Sequence, residues 1–473
     1  MAGRTALLAS VVAILLGMPA HAAAQDRAAA GASDMTLEVD AGDRTVVSWV
    51  RHDGDAESVE TTVLDASGAP GPVTSSPGVY RPITGPGGHR AFVGNAAGGI
   101  AVAMLDESGG ISSFHHVPWR GIVGMQAEFD PQGRLSIVFE SYVGGSPALY
   151  ATRTDQEGRP GDVRAVFPSG APTGWDMAVA ADGRTAVVRA GRGVDVVQLD
   201  SAGVPGPVRS LSSWSSIEAH VQVDALDRFL VLWQGRQELA GPAGEGGLAA
   251  TRLAGDGSPG EIWTLDQGIG SSVRFVVDRD GGAAVFWQNF PAGPYTRGIR
   301  IPADGAPGPA KAITPSGSSL GDVAIDGAGG AHVTWSQDGS PRLSVFDENL
   351  DPVYTRDLPG VDVAPHVAID SQNRITLAWL DEFASRPYES YGIVETSRLG
   401  PGGELGEIRA LSAGDASSPA LTLSGGEQRV ASVVEVGAAC DEWCNFAAGG
   451  VVELVRKGGR DERRAAASIP LAT

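Results

Sequence analysis

Short apolar runs alternate with turns along this chain, and two marks inside them repeat. One run closes on Asp, and nine residues later the next closes on Trp. Val323-Ala324-Ile325-Asp326 leads to Trp335, and Val367-Ala368-Ile369-Asp370 leads to Trp379. The first mark falls at Asp40, Thr84, Asp130, Ala180, Asp224, Asp278, Asp326, Asp370 and Ser424, giving nine copies spaced 44 to 54 residues apart. The second falls at Trp49, Val93, Phe139, Arg189, Trp233, Trp287, Trp335, Trp379 and Val433. A fixed interval inside a unit of variable length belongs to one supersecondary element repeated many times.

Each copy predicts four short strands. The first ends at the Asp mark, with Val323 and Ile325 on one side and Ala324 and Asp326 on the other. A Gly-containing turn follows, as in Gly281-Gly282, and the second strand carries the Trp. The third ends in turns such as Asp65-Ala66-Ser67-Gly68 and Asp200-Ser201-Ala202-Gly203, where Asp caps its own backbone and Gly accepts positive φ. The fourth begins after Pro-Gly, as at Pro205-Gly206, which suits an outer edge. Four-stranded units in tandem predict an all-β chain folded as a single β-propeller of eight or nine blades over residues 35–473. The Asp marks are expected to cap turns, and the Trp marks to fill the gaps between blades. The pattern resembles the bacterial extracytoplasmic propellers with NHL-like repeats. That resemblance spans residues 35–471 and implies architecture, not activity.

The start of the chain reads as an export signal over residues 1–24: Arg4, an apolar Ala6–Leu16 run, and A-x-A sites favouring cleavage after Ala22 or Ala24. Residues 25–34 are expected to be a flexible lead-in. No later run approaches the ~20 apolar residues of a membrane span. A secreted or periplasmic protein is therefore expected. The net charge is −21, and the acids are dispersed along the chain, a composition that disfavours nucleic acid and anionic lipid. Cys440 and Cys444, the two cysteines, are expected to form a local disulfide.

In such a fold the second-to-third-strand loops share a face with the connections between repeats. Those loops vary in length, and variable loops on a rigid scaffold are where binding sits. Four stand out: Gln234 to Gly247, long and Gly-rich; Leu380 to Tyr391; the one carrying Cys440 to Phe446; and the one with Glu140 and Tyr142, the last three gathering acids and aromatics. The candidate ligand-binding residues are Glu140, Tyr142, Asp381, Glu382, Arg386, Tyr388, Tyr391, Asp441, Glu442 and Trp443. Such a set suits an extracellular protein, peptide or glycan. The sequence contains no H-E-x-x-H motif. His115-His116 falls on a strand, where neighbours point apart, so no metal and no cofactor is expected. The expected function is a non-enzymatic binding module. One alternative is a secreted polysaccharide hydrolase or lyase using loop carboxylates such as Asp381 with Glu382 and Asp441 with Glu442. A structural envelope protein is a second alternative.

Overall fold

The computed structural model describes residues 31–412 with short interruptions, the longest at 236–246, plus residues 421–422 and 437–438. The side chains of 381–392 lie outside it, as do those at several other strand ends. Eight blades of four antiparallel strands form a ring. Blades 1 to 8 occupy 31–77, 80–118, 122–167, 174–212, 216–266, 270–312, 318–357 and 366–410. In each blade the strands run in chain order from axis to rim. Among the described residues the one helical element is a 3-10 turn at Pro86–Gly88. Beyond residue 412 the described elements are the paired strands Leu421–Thr422 and Gly437–Ala438. The ninth repeat, marked by Ser424, lies outside the described residues. The ring is thus built from the first eight repeats.

The Asp marks do what their chemistry predicts. At Asp130, Asp224, Asp278, Asp326 and Asp370, one carboxylate oxygen accepts the backbone N–H groups two and four residues on, all at 2.6–3.0 Å. The third-to-fourth turns use the same device at Asp65, Asp155, Asp200 and Asp347. The fourth residue of each turn must take positive φ, which is why it is Gly133 (78°), Gly158 (82°) or Gly329 (82°). Asn373 fills that place at 60°, a side chain tolerated there.

At several blades a buried ion pair lies behind the turn. Asp224 is fully buried, and Arg228 and Arg252 approach its second oxygen at 2.8 and 3.6 Å. Arg252 also donates to the carbonyls of Gly281 (3.2 Å) and Pro302 (2.7 Å) on the next blade. Arg153 links Asp130 to the Gly183 carbonyl in the same way. Arg398 of blade 8 reaches the Ala66 and Asp65 carbonyls of blade 1 at 2.7 and 2.9 Å, and the bridge Ala32–Gly392 joins the two blades directly.

The Trp marks fill the seams. Trp49, Trp233, Trp287 and Trp379 are each 1% exposed, Trp335 2%, and each packs in a cluster shared by two blades. A buried indole N–H favours a partner, and four of the five have one, the Trp233 nitrogen being without one among the described residues. Glu60, Asp266 and Glu395 accept from Trp49, Trp287 and Trp379 at 2.9, 2.8 and 3.0 Å, and the Ser344 hydroxyl accepts from Trp335 at 2.9 Å.

Replacing Asp224 strands a buried guanidinium and uncaps a turn. Asp224→Ala is expected to cost about 3–5 kcal/mol in equilibrium urea unfolding. Asp304→Ala, which removes an 89% exposed partner of Arg228, is expected to cost about 0–1 kcal/mol. Equal effects would refute the buried pair as a support of the seam.

Candidate functional site

The face made by the second-to-third loops is best defined at blade 3. Its second strand, Leu135–Val143, pairs Glu140 with Gly124 on the inner strand, then Ser141 with Ile122. Val123 is left as a bulge, 58% exposed. The connection from blade 2 is tied down beside it: the Ser141 hydroxyl donates to the Arg120 carbonyl (2.7 Å), and Tyr142 N–H to Gly121 (3.0 Å). Tyr142 is 51% exposed. Beneath it Phe139, Trp119 and Tyr150 pack with ring centroids 4.8–5.7 Å apart. The Trp119 indole nitrogen is buried without a partner among the described residues. Glu140 is half-buried. Burial pushes its carboxyl above the ordinary carboxylate range, against an opposing hydrogen bond from Trp175. An exposed phenol, an apolar bulge and a carboxyl of raised pKa therefore share one end of blade 3.

Glu140 and Tyr142 are the two candidates whose side chains are described. The segment expected to be a loop, Leu380–Tyr391, is instead a hairpin, and this corrects the sequence reading. Strands Ile375–Arg386 and Glu389–Arg398 pair from Thr376–Arg398 to Arg386–Glu389. Asp381, Glu382 and Arg386 stand on the first strand, opposite Ile393, Gly392 and Glu389, and Tyr391 stands on the second opposite Ala384. Polar composition had suggested a loop, but backbone pairing simply continues past the end of the blade. Tyr388, Asp441, Glu442, Trp443 and the expected disulfide partners Cys440 and Cys444 lie outside the described residues.

A second polar site lines the axis, and the sequence reading missed it. The inner strand of a blade is a sheet edge with unpaired backbone groups. Side chains of the preceding blade satisfy them. Glu128 accepts Val179 N–H (2.9 Å), Asp176 accepts Val221 N–H (3.0 Å), and Gln222 donates to the Phe275 carbonyl (2.7 Å). Arg274 donates to the Gly321 carbonyl (3.1 Å), and Asp322 accepts Val367 N–H (3.2 Å). A cavity of about 470 Å³ lies among these strands, walled by Glu128, Asp176, Val221, Gln222 and Val276. His220 stands between two carboxylates, 3.1 Å from Glu218 and 3.8 Å from Asp176. Burial disfavours its imidazolium, but the two acids outweigh that, and its pKa is pushed up to about 9. Among the described residues, no three His, Cys, Asp or Glu are arranged to hold a metal ion. The signal was present in the alternation Glu218-Ala219-His220-Val221-Gln222.

No protein-family model matches the chain, and no curated protein matches it. Solved structures match in fold. The Dos1 propeller is 12% identical, covering 69% of this chain and 82% of that one, with a TM-score of 0.46. The β-propeller domain of the Trilobed protease from Pyrococcus furiosus is 11% identical over 70% of this chain and 98% of that one, TM-score 0.43. Apo prolyl oligopeptidase B from Galerina marginata is 10% identical over 85% of this chain and 55% of that one, TM-score 0.48. At these identities the likeness is one of fold.

His220 gives the axis a pH signature. Its ordinary pKa is 6.5 and its folded value about 9. The stability it contributes is fully present below ~6.5 and is lost as pH rises through about 9. His220→Gln is expected to destabilise the chain at about pH 6 and to converge on the parent at about pH 10 in urea titrations. A gap that does not change with pH would refute the ion pairs.

Proposed function

We propose that this chain is an exported, non-enzymatic propeller, of the kind with NHL-like repeats, that binds a peptide, glycan or protein. The second-to-third-loop face is the binding surface. The observation that carries this reading is the contrast between the two faces. One face repeats a single Asp-capped turn whose carboxylates are spent on their own backbone. The other presents Tyr142 at 51% exposure beside Glu140 and the exposed Val123. An aromatic with a polar tip next to an acid suits a ligand with alternating apolar and hydroxyl or cationic groups. Export rests on the leader-like residues 1–24.

A hydrolase or lyase is the second reading, favoured by one feature: a carboxyl with a raised pKa, as at Glu140, is what a general acid requires.

A thermal-shift screen of the exported form against glycans and peptides tests both. A ligand specific to the native state at about 100 times its Kd adds about 2.7 kcal/mol of stability. Tyr142→Ala is expected to leave the unliganded melting temperature nearly unchanged and to weaken the hit about tenfold or more. A hit that Tyr142→Ala does not affect counts against this face. A glycan that is consumed by the parent and spared by Glu140→Gln favours the enzyme.

A further inference from the structure

We propose that the outer strand of blade 2, Ile111–Pro118, is a docking edge for an extended, basic-flanked peptide segment of a partner protein, which adds as a fifth strand. The rim of a propeller is a ring of sheet edges, and an unguarded edge pairs with other chains. The other long or moderate edges here are guarded. Outer strands elsewhere carry Arg164, Arg209, Glu261, Lys311, Arg356 or Arg409, and that of blade 1 is four residues ending in Pro77. Blade 2 differs. Its outer strand has eight residues, no Asp, Glu, Lys or Arg, and a Pro at the last position only. It pairs with the third strand from Gly99–Pro118 to Leu105–Ile111, and among the described residues its other side is an edge. Ile111 and Phe114 are 59% and 58% exposed.

The two sides of this strand are unlike. Ser113 donates to the Glu157 carbonyl of blade 3 (2.6 Å), and Val117 is buried in the cluster shared with blade 3. Phe114, at the intervening position, stands on the blade 1 side, where the four-residue outer strand Thr74–Pro77 gives little cover. Among the described residues the buried cluster of that seam is Val59, Phe92 and Ala103, with Val50 and Leu105 packed against it. A cavity of about 170 Å³ opens in it, walled by Pro72, Thr74, Phe92 and Leu105, with Arg44 and Arg90 also present. Arg90 is turned to the Asp106 carbonyl (2.8 Å). Val73, 46% exposed, lies between Pro72 and Thr74, and Ile111 is the register partner of Leu105. The exposed apolar groups and the cavity are thus parts of one surface. A space of this size takes one apolar side chain, close to the ~150 Å³ apolar cavity that accepts benzene. Strand addition draws affinity from the backbone and specificity from pockets for alternate side chains.

The occupant is a peptide rather than a second copy of this chain. Eight residues are well short of the roughly 20–30 a side of a stable protein interface. Two copies, each at −21, repel one another. The same charge, with exposed Asp106 at the Ile111 end of the strand, favours basic residues flanking the incoming segment, while Glu157 nearby is shared with Arg159 at 3.8 Å.

The test is fluorescence anisotropy with the full chain and a fluorescein-labelled peptide of about twelve residues, alternating Thr with Val or Leu between Lys pairs. Saturable binding is expected. A peptide with Pro at its centre is expected to bind at least about tenfold more weakly. Phe114→Lys gives blade 2 the charged guard that the outer strands of blades 3 to 8 have, at an exposed site where folding is little affected. It is expected to weaken binding at least about tenfold with an unchanged melting temperature. Absence of binding by the parent chain, equal binding by the Pro peptide, or equal binding by Phe114→Lys each overturns the proposal. So does concentration-dependent self-association in sedimentation that Phe114→Lys abolishes, since the edge would then serve a second copy.

Discussion

The carboxylate at the first turn of five blades, Asp130, Asp224, Asp278, Asp326 and Asp370, is the constraint on which much of the ring depends. It has two oxygens and two tasks. One oxygen holds the turn, and the other, buried, demands a cation. The blades can be compared with one another to see this. Where the third strand supplies Arg153, Arg252 or Arg300, the mark is Asp130, Asp224 or Asp278. In blade 4 the register place of that Arg holds Gln198, and the mark is Ala180. In blade 7 the place holds Val345, and the mark, Asp326, instead meets His332 at 3.1 Å. In these blades the acid stands where the third strand or His332 supplies a base; in blade 4, where the mark is Ala180, Arg184 instead meets Asp182 at 2.5 Å. Because Arg153 and Arg252 also grip the next blade, the rule that keeps a turn closed also keeps a seam closed.

The inner edges obey a related rule with different residues. Close-packed strands around an axis leave backbone donors and acceptors that no fifth strand can satisfy. Side chains from the neighbouring blade replace that strand: Glu128, Asp176, Gln222, Arg274 and Asp322 step from blade 3 to blade 8 in the same direction. Charged groups at the axis of this protein are therefore structural first. Asp322, bonded to the Val367 and Val323 amides and close to His366, is held below its ordinary pKa despite burial, as a carboxylate spent on donors should be.

How far the sequence revealed this depends on which residues repeat. Asp224 and Trp233 recur at a fixed spacing, so architecture, turn caps and seam packing were all legible. The inner-strand belts were not. Glu128, Gln222 and Arg274 share a role but no chemical identity, so no single residue type marks the position. The strands were read as apolar because their last residues, such as Val323 to Ile325, are. The hairpin over Leu380–Tyr391 was hidden for another reason: acids and aromatics describe what a segment shows to solvent, whereas strand pairing is set by the backbone. At the candidate site Glu140 and Tyr142 were legible as polar and aromatic residues near a strand end. Val123 comes from the blade's own bulged inner strand, and the support from Trp119 and Trp175 comes from the connection and the next blade, which only the folded ring brings together.

The same closure explains why one seam can be thin. A blade in a ring is held on both sides, so it can part from one neighbour only if the remaining seams rotate. Blade 1 is fixed to blade 8 by Trp49, Val394 and Leu411 in one cluster and by Arg398 across the turns. Blade 2 is fixed to blade 3 by a larger cluster that includes Ile100, Val117 and Phe139. Between them, the buried cluster among the described residues is smaller, Val59, Phe92 and Ala103. Closure of the ring is what lets a seam hold an open cavity and a bare edge without unfolding. Surfaces of this protein that are free to acquire function should therefore lie where the ring, and not the local core, supplies the stability.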